Sequence, residues 1–153
     1  MEITQKIKPE KLNNDNTWLT WWMRIVGSFY LLLFIASSVL KLPIKTLAPV
    51  DTLEKAAAGD PLALFLIDTW VILGLAIFSI GLALLVASRR PTQSIVLVWT
   101  VIGFELIWGI CSDIFQIFRG HPVFVIGIWI VIHIIIISMG ILSLRKARIT
   151  NIF

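Results

Sequence analysis

Residues 103–115, with the sequence GFELIWGICSDIF, lie inside a mostly apolar run that extends from about residue 93 to 118. A run of this length can cross the hydrocarbon core of a bilayer as one helix, because such a helix needs about 20 apolar residues. The stretch nevertheless carries Glu105 and Asp113, two side chains that lipid solvates poorly. The run predicts a membrane fold, and its two acids mark a place where a function could lie.

The composition of the whole chain agrees with a membrane protein. The 153 residues are 58% hydrophobic and 14% charged, whereas soluble domains are about 45–50% apolar and about 25% charged. The length fits one domain. The net charge of +4 does not indicate a nucleic-acid partner, because the basic residues lie at the ends of apolar segments and not on one polar face. Cys111 is the only cysteine, which excludes an intrachain disulfide.

Four apolar runs predict an all-α, four-helix transmembrane bundle formed by residues 21–144. The expected helices span about 21–42, 62–87, 93–118 and 123–144. Each is too long for a barrel strand, which has about ten residues of alternating polarity. Asp60 and Pro61 are typical of an N-cap and a first helical residue. The short second and third connections predict that helices two, three and four are antiparallel neighbours.

The distribution of lysine and arginine predicts the orientation of the bundle. Nine of these residues belong to the N-terminal side, the second turn and the basic tail 145–153, and four belong to the opposite side. The positive-inside rule then places both termini in the cytoplasm, including the N-terminal segment 1–20. It places the longer loop 43–61, in which DTLEKAAAG could form a short helix, on the extracytoplasmic side.

Four ionisable side chains are expected within the membrane. Asp68 lies in the second predicted helix, Glu105 and Asp113 in the third, and His133 in the fourth. Each costs about 2.5–3.5 kcal/mol to place in lipid on insertion scales, so these groups should face the interior of the bundle. At about 1.5 Å per residue, Asp68 and Asp113 have similar depths near the outer side, and the other two lie deeper.

Two basic residues at the outer helix ends, Lys41 and Arg119, are the expected charge partners because long side chains can reach inward. We expect a charged vestibule open to the outside, in which they pair with Asp68 and Asp113 above a floor made by the two deeper groups. The alternative is structural: polar groups in membrane helices often hold neighbouring helices in register by hydrogen bonding.

Several kinds of chemistry lack the residues that they need. His121 and His133 lie about 18 Å apart along one helical segment, so one chain cannot ligate a haem with both. Glu105 and His133 give two ligands where zinc takes three or four. We find no Gly-rich phosphate loop and no Ser/His/Asp set. These absences favour a protein that is not an enzyme and holds no metal.

Three stretches of the sequence resemble the small four-helix membrane proteins of the DoxX-like and BphX-like kind. They are WWMRIVGSFYLLLF (21–34), DTWVILGLAIFSIGLALL (68–85) and RRPTQSIVLVWTVIGFELIWGICSDIF (89–115). The resemblance covers about residues 21–140. It lies in the chain length, the helix count and the positions of Arg24, Asp68, Glu105 and Asp113.

The resemblance implies a bacterial inner-membrane protein whose activity is poorly defined. Some DoxX-type proteins accompany quinone-linked oxidation of sulfur compounds, and some BphX-type proteins accompany aromatic degradation. No established catalytic residues come with it.

Three functional hypotheses follow. The first is an accessory or small-molecule-binding membrane subunit with a polar intramembrane site, acting as a homo-oligomer or with a membrane protein partner, since four short helices bury little surface. The second is a proton- or ion-coupled carrier that uses Glu105 and His133, with Asp68 and Asp113 at the entry. The third is a redox subunit that binds a quinone, the only cofactor considered, through the acids and the aromatic residues Trp70, Trp108 and Trp129.

Overall fold

The computed structural model of the protein describes residues 17–42, 45 and 51–149, apart from the side chains of residues 148 and 149. Within these residues the chain is almost entirely helical and contains no strand. Four helices are long and apolar enough to cross a membrane, which confirms the predicted all-α four-helix architecture. These four spans, numbered first to fourth, are Thr17–Val39, Pro61–Ala87, Pro91–Phe118 and Val123–Ala147.

Two of the spans change their helical geometry along their length. The first span is an α-helix over Thr17–Phe34 and a π-helix over Ile35–Val39. The third span starts with a 3₁₀ turn and contains a π-helical segment between two α-helices. Its parts are Pro91–Ser94, Ile95–Phe104, Glu105–Ile110 and Cys111–Phe118. The second span is an uninterrupted α-helix, and the α-helix of the fourth continues to Ile149.

The first and fourth helices are longer than predicted. They start at Thr17 and end at Ile149, whereas the apolar pattern predicted limits at 21 and 144. A helix can continue beyond the apolar core because its own hydrogen bonds do not depend on lipid. The two extensions meet where the ammonium of Lys146 lies 3.7 Å from the centre of the Trp18 ring, a cation–π contact.

The second span begins as its sequence predicts. The side chain of Asp60 accepts a hydrogen bond of 2.8 Å from the backbone N–H of Ala63, and Pro61 is the first helical residue. The segment before it forms a short helix over Thr52–Ala57. On this exposed helix Lys55 lies 2.6 Å from Asp51, and its hydrogen bond holds the pKa of Asp51 below its ordinary value.

The closest packing in the bundle is between the first and second spans. Gly27 and Gly81 permit it, because a Cβ on Gly27 would lie 2.9 Å from the carbonyl oxygen of Gly81. The fourth span packs on the first and third. The second span comes close to the third mainly at their connecting turn, so the expectation that these helices are neighbours along their length was wrong.

The bundle has two unlike halves. At the terminal end, where the first span begins and the fourth ends, an apolar core fills the interior with Leu19, Met23, Leu84, Val98 and Leu144. At the opposite end, here called the loop end, the second and third spans are not packed together. Because the helices diverge there, space for a functional site lies in this half.

Candidate functional site

The deepest acid of the bundle has a polar partner for each of its oxygens. Glu105, in the third span, is only 2% exposed. The hydroxyl of Tyr30, in the first span, donates a hydrogen bond to Oε1 of this carboxyl group. Nδ1 of His133, in the fourth span, pairs with Oε2. Three helices therefore meet at one buried carboxyl group.

His133 also faces the second acid of the third span. Its Nε2 atom lies 3.5 Å from Oδ2 of Asp113, so the imidazole ring lies between the two acids. The four side chains form a continuous series in the order Tyr30, Glu105, His133 and Asp113, which we call the buried polar chain. It runs from the middle of the bundle towards the loop end.

The buried polar chain sets two acids against one imidazole ring. The hydroxyl of Tyr30 donates to Oε1 of Glu105, and the hydrogen bond between Oε2 and Nδ1 of His133 can carry its proton on either atom. Nε2 of the same ring faces Oδ2 of Asp113 at 3.5 Å without a hydrogen bond. Glu105 is therefore fully hydrogen-bonded within the bundle, whereas Asp113 is not.

The π-helical segment places both acids on the same side of the third span. Asp113 follows Glu105 by eight residues, which in a straight α-helix overshoots two turns by roughly 80°. A π-helical turn accommodates about one extra residue, which reduces this angle to roughly 20°. The segment Glu105–Ile110 therefore aligns the two carboxyl groups so that a single ring can contact both.

Gly109 makes room for the imidazole ring between the two acids. A Cβ atom at this position would lie 2.6 Å from Nδ1 and 2.7 Å from Cε1 of His133. Since real Cβ atoms do not approach ring atoms so closely, any other residue here would displace the ring. Gly109 is thus a positioning residue for His133.

A cavity of about 470 Å³ opens at the loop end of the buried polar chain. Ligand-binding cavities in proteins usually measure about 300–1,000 Å³. All four spans contribute to its lining, and Asp113 and His133 are its ionisable groups inside the bundle. The other polar residues of its wall are Ser37, Ser112, Gln116 and His121. One tryptophan comes from each of the second, third and fourth spans, namely Trp70, Trp108 and Trp129. The cavity thus combines the aromatic rings of three tryptophans with two ionisable side chains, those of Asp113 and His133.

The structure brings together three of the four intramembrane residues that the sequence singled out. Glu105, Asp113 and His133 are in contact, whereas Asp68 is exposed on the second span and does not line the cavity. The face of its span that lines the cavity carries Trp70, Leu73 and Ile77, and this acid lies on another face of the helix.

Neither of the two expected cations joins the acids. The guanidinium of Arg119 lies 4.4 Å from the centre of the Phe115 ring, on an exposed surface. Lys41 follows the end of the first span with a positive φ of 54°. Within the part of the chain that the structure describes, neither residue forms an ion pair with Asp68 or Asp113. The cavity with its tryptophan walls lies where the charged vestibule was expected.

Sequence reasoning missed Tyr30. It is the only tyrosine of the chain and is 2% exposed in the middle of the first span. A phenol inside a membrane helix, where its hydroxyl needs a partner, was the available signal.

Comparison with known proteins identifies a family. A family model described as BphX-like matches residues 17–149. Neither a curated protein nor a solved structure matches the chain.

We predict that Gly109→Ala destabilises the protein in lipid by about 1–3 kcal/mol, because the new methyl group displaces His133 and leaves buried polar atoms without partners. Thermal unfolding of the reconstituted protein measures the effect. Gly103→Ala is the matched control, since a Cβ at Gly103 meets nothing within 4 Å in the same span. Equal unfolding temperatures for the two variants would contradict the positioning role.

Proposed function

This chain belongs to the BphX-like family, and we propose that it is an integral protein of the bacterial inner membrane that binds a small molecule in the cavity at the loop end. In this proposal it acts as a binding or accessory subunit and not as an enzyme. The observation that carries the proposal is the cavity itself. It lies among all four spans, and its walls are apolar except where polar groups, mainly Asp113 and His133 of the buried polar chain, reach it.

The arrangement of polar and apolar walls supports binding. Ligand sites are usually apolar cavities with a few convergent polar groups that fix the orientation of the ligand. Here the aromatic residues Trp70, Trp108 and Trp129 offer contact area, and Asp113 offers a hydrogen-bonding group. Glu105 and Tyr30 lie behind this wall and are hydrogen-bonded to each other, and the second oxygen of Glu105 is bonded to His133. They therefore support the site and do not contact the ligand.

The buried polar chain favours binding over transport. A proton-coupled carrier needs polar groups or water along the whole path between the two sides. On the terminal side of Tyr30, the described core consists of apolar side chains such as Met23 and Val26, and its buried polar residues, Ser88 and Ser143, carry no ionisable group. The series of ionisable groups therefore stops in the middle of the bundle, which suits a site that is reached from one side.

A specific observation favours a quinone-linked redox subunit as the second candidate function. Three tryptophans from three different spans line the same cavity. A flat ring with polar substituents matches aromatic walls that surround an ionisable pair. A quinone is thus the cofactor that we propose for this alternative.

The exposed acid on the second span supports a partner subunit. Asp68 is seven residues beyond the start of its span, or about 10 Å, and has no ion pair within the described residues. An acid that faces lipid at this depth is costly, so we propose that a second copy or another membrane protein covers it. The positive-inside rule supports an orientation with both termini in the cytoplasm.

We predict that 1-bromonaphthalene quenches the tryptophan fluorescence of the reconstituted protein in a saturable manner, because its bromine reaches the cavity tryptophans. Ser112→Phe should abolish the saturable part, since Ser112 lines the cavity. Ser79→Phe is the matched control, because it adds the same side chain at an exposed position of the second span. Quenching that stays linear in the unchanged protein would contradict the proposal. Displacement of the probe by duroquinone would favour the second candidate.

A single introduced cysteine tests orientation and assembly together. In a Cys111→Ser background, we expect Ala58→Cys, in the exposed segment before the second span, to react with a membrane-impermeant maleimide from outside the cell. We also expect a bifunctional thiol reagent to link two copies, and Asp68→Leu to weaken this cross-link. Labelling only after the membrane is opened would contradict the orientation, and the absence of any cross-link would contradict a homo-oligomer.

A further inference from the structure

The wall of the cavity contains an acid whose hydrogen-bonding capacity is not used up within the protein. Asp113 is 9% exposed and lines the cavity. Its Oδ2 atom is inaccessible to solvent and has no hydrogen bond, and its nearest polar neighbour is Nε2 of His133 at 3.5 Å. Oδ1 is not among the solvent-inaccessible atoms, and Asp113 lines the cavity, so this oxygen is the one available to a ligand.

The charge of the site excludes one class of ligand. The buried polar chain contains two acids, Glu105 and Asp113, and one imidazole, that of His133. The described residues that line the cavity include a further histidine at its exposed end, His121, but no lysine or arginine. A carboxylate, phosphate or sulfonate in the cavity would face Asp113 in a medium that screens poorly. Anionic ligands are therefore disfavoured.

The same acid favours a ligand that donates a hydrogen bond. Oδ1 of Asp113 is an acceptor in the wall of a mostly apolar cavity, and a hydroxyl group on the ligand would supply a donor to it. A methyl ether or a hydrocarbon of similar shape would fill the cavity but leave the oxygen unsatisfied. The site thus distinguishes between ligands mainly by the presence of a hydroxyl donor and less by their size.

We infer that the cavity selects a neutral, membrane-soluble aromatic molecule that carries a hydroxyl donor, with the hydroxyl directed to Asp113 and the ring among Trp70, Trp108 and Trp129. This inference rests on the proposed binding function and adds the chemical class of the ligand. Asp113 is the specificity-determining residue, and His133, whose Nε2 atom lies 3.5 Å from Oδ2, is its polar neighbour on the protein side.

Three probes of similar size test the inference: 4-bromophenol, 4-bromoanisole and 4-bromobenzoate. The bromine of each quenches tryptophan fluorescence, so that the saturable part of the quenching gives a Kd for the reconstituted protein. We expect 4-bromophenol to bind about tenfold or more tightly than 4-bromoanisole, which is the discrimination expected of one charge-assisted hydrogen bond. We expect no saturable binding of 4-bromobenzoate.

The ratio of the first two Kd values identifies the residue responsible. We expect Asp113→Leu and Asp113→Asn to bring this ratio close to one, and Glu54→Gln, which changes an exposed acid outside the cavity, to leave it unchanged. A ratio is insensitive to a general loss of folded protein, and the asparagine variant keeps the shape of the side chain. Equal binding of phenol and anisole by the unchanged protein would overturn the inference and leave the binding function intact. Failure of both probes to bind saturably would overturn both proposals.

Discussion

The structure depends on supplying hydrogen-bond partners to one carboxyl group that is buried within the membrane-spanning bundle. Glu105 is 2% exposed in the middle of the bundle, where an unpaired charge costs several kcal/mol. Tyr30 and His133 satisfy its two oxygens from the first and fourth spans. These contacts fix the depth and the rotation of three helices relative to one another. The remaining faces of these helices are mostly apolar on all sides. The hydrophobic pattern alone therefore does not determine how each helix is rotated about its axis.

The π-helix of the third span and Gly109 are consequences of the same requirement. Without the extra residue in the turn, the two acids would diverge by roughly 80° around the helix, and His133 would reach only one of them. Without a glycine, the ring could not lie between them. Both features weaken the helix locally, since π-helical geometry and glycine are each unfavourable in a helix interior. The contacts of the buried polar chain compensate for this weakness.

The sequence was sufficient to predict the helices but not how they face one another. The number of spans and the N-cap at Asp60 follow from local rules, and Glu105, Asp113 and His133 were recognised because lipid excludes them. Asp68 does not join them, because another face of the second span, which carries Trp70 and Ile77, lines the cavity. The π-helical segment has no local signature that distinguishes it from an α-helix of the same composition. A phenol within a membrane helix was a signal for Tyr30, but only the structure identifies Glu105 as its partner.

The most direct test is the hydrogen bonding of Glu105 in lipid. Infrared difference spectra against Glu105→Gln isolate the signal of this carboxyl group in the reconstituted protein. Because Tyr30 and His133 each hydrogen-bond one of its oxygens, we expect both Tyr30→Phe and His133→Leu to shift its band. A band that stays at the same frequency in either variant would contradict the central role of this buried carboxyl group.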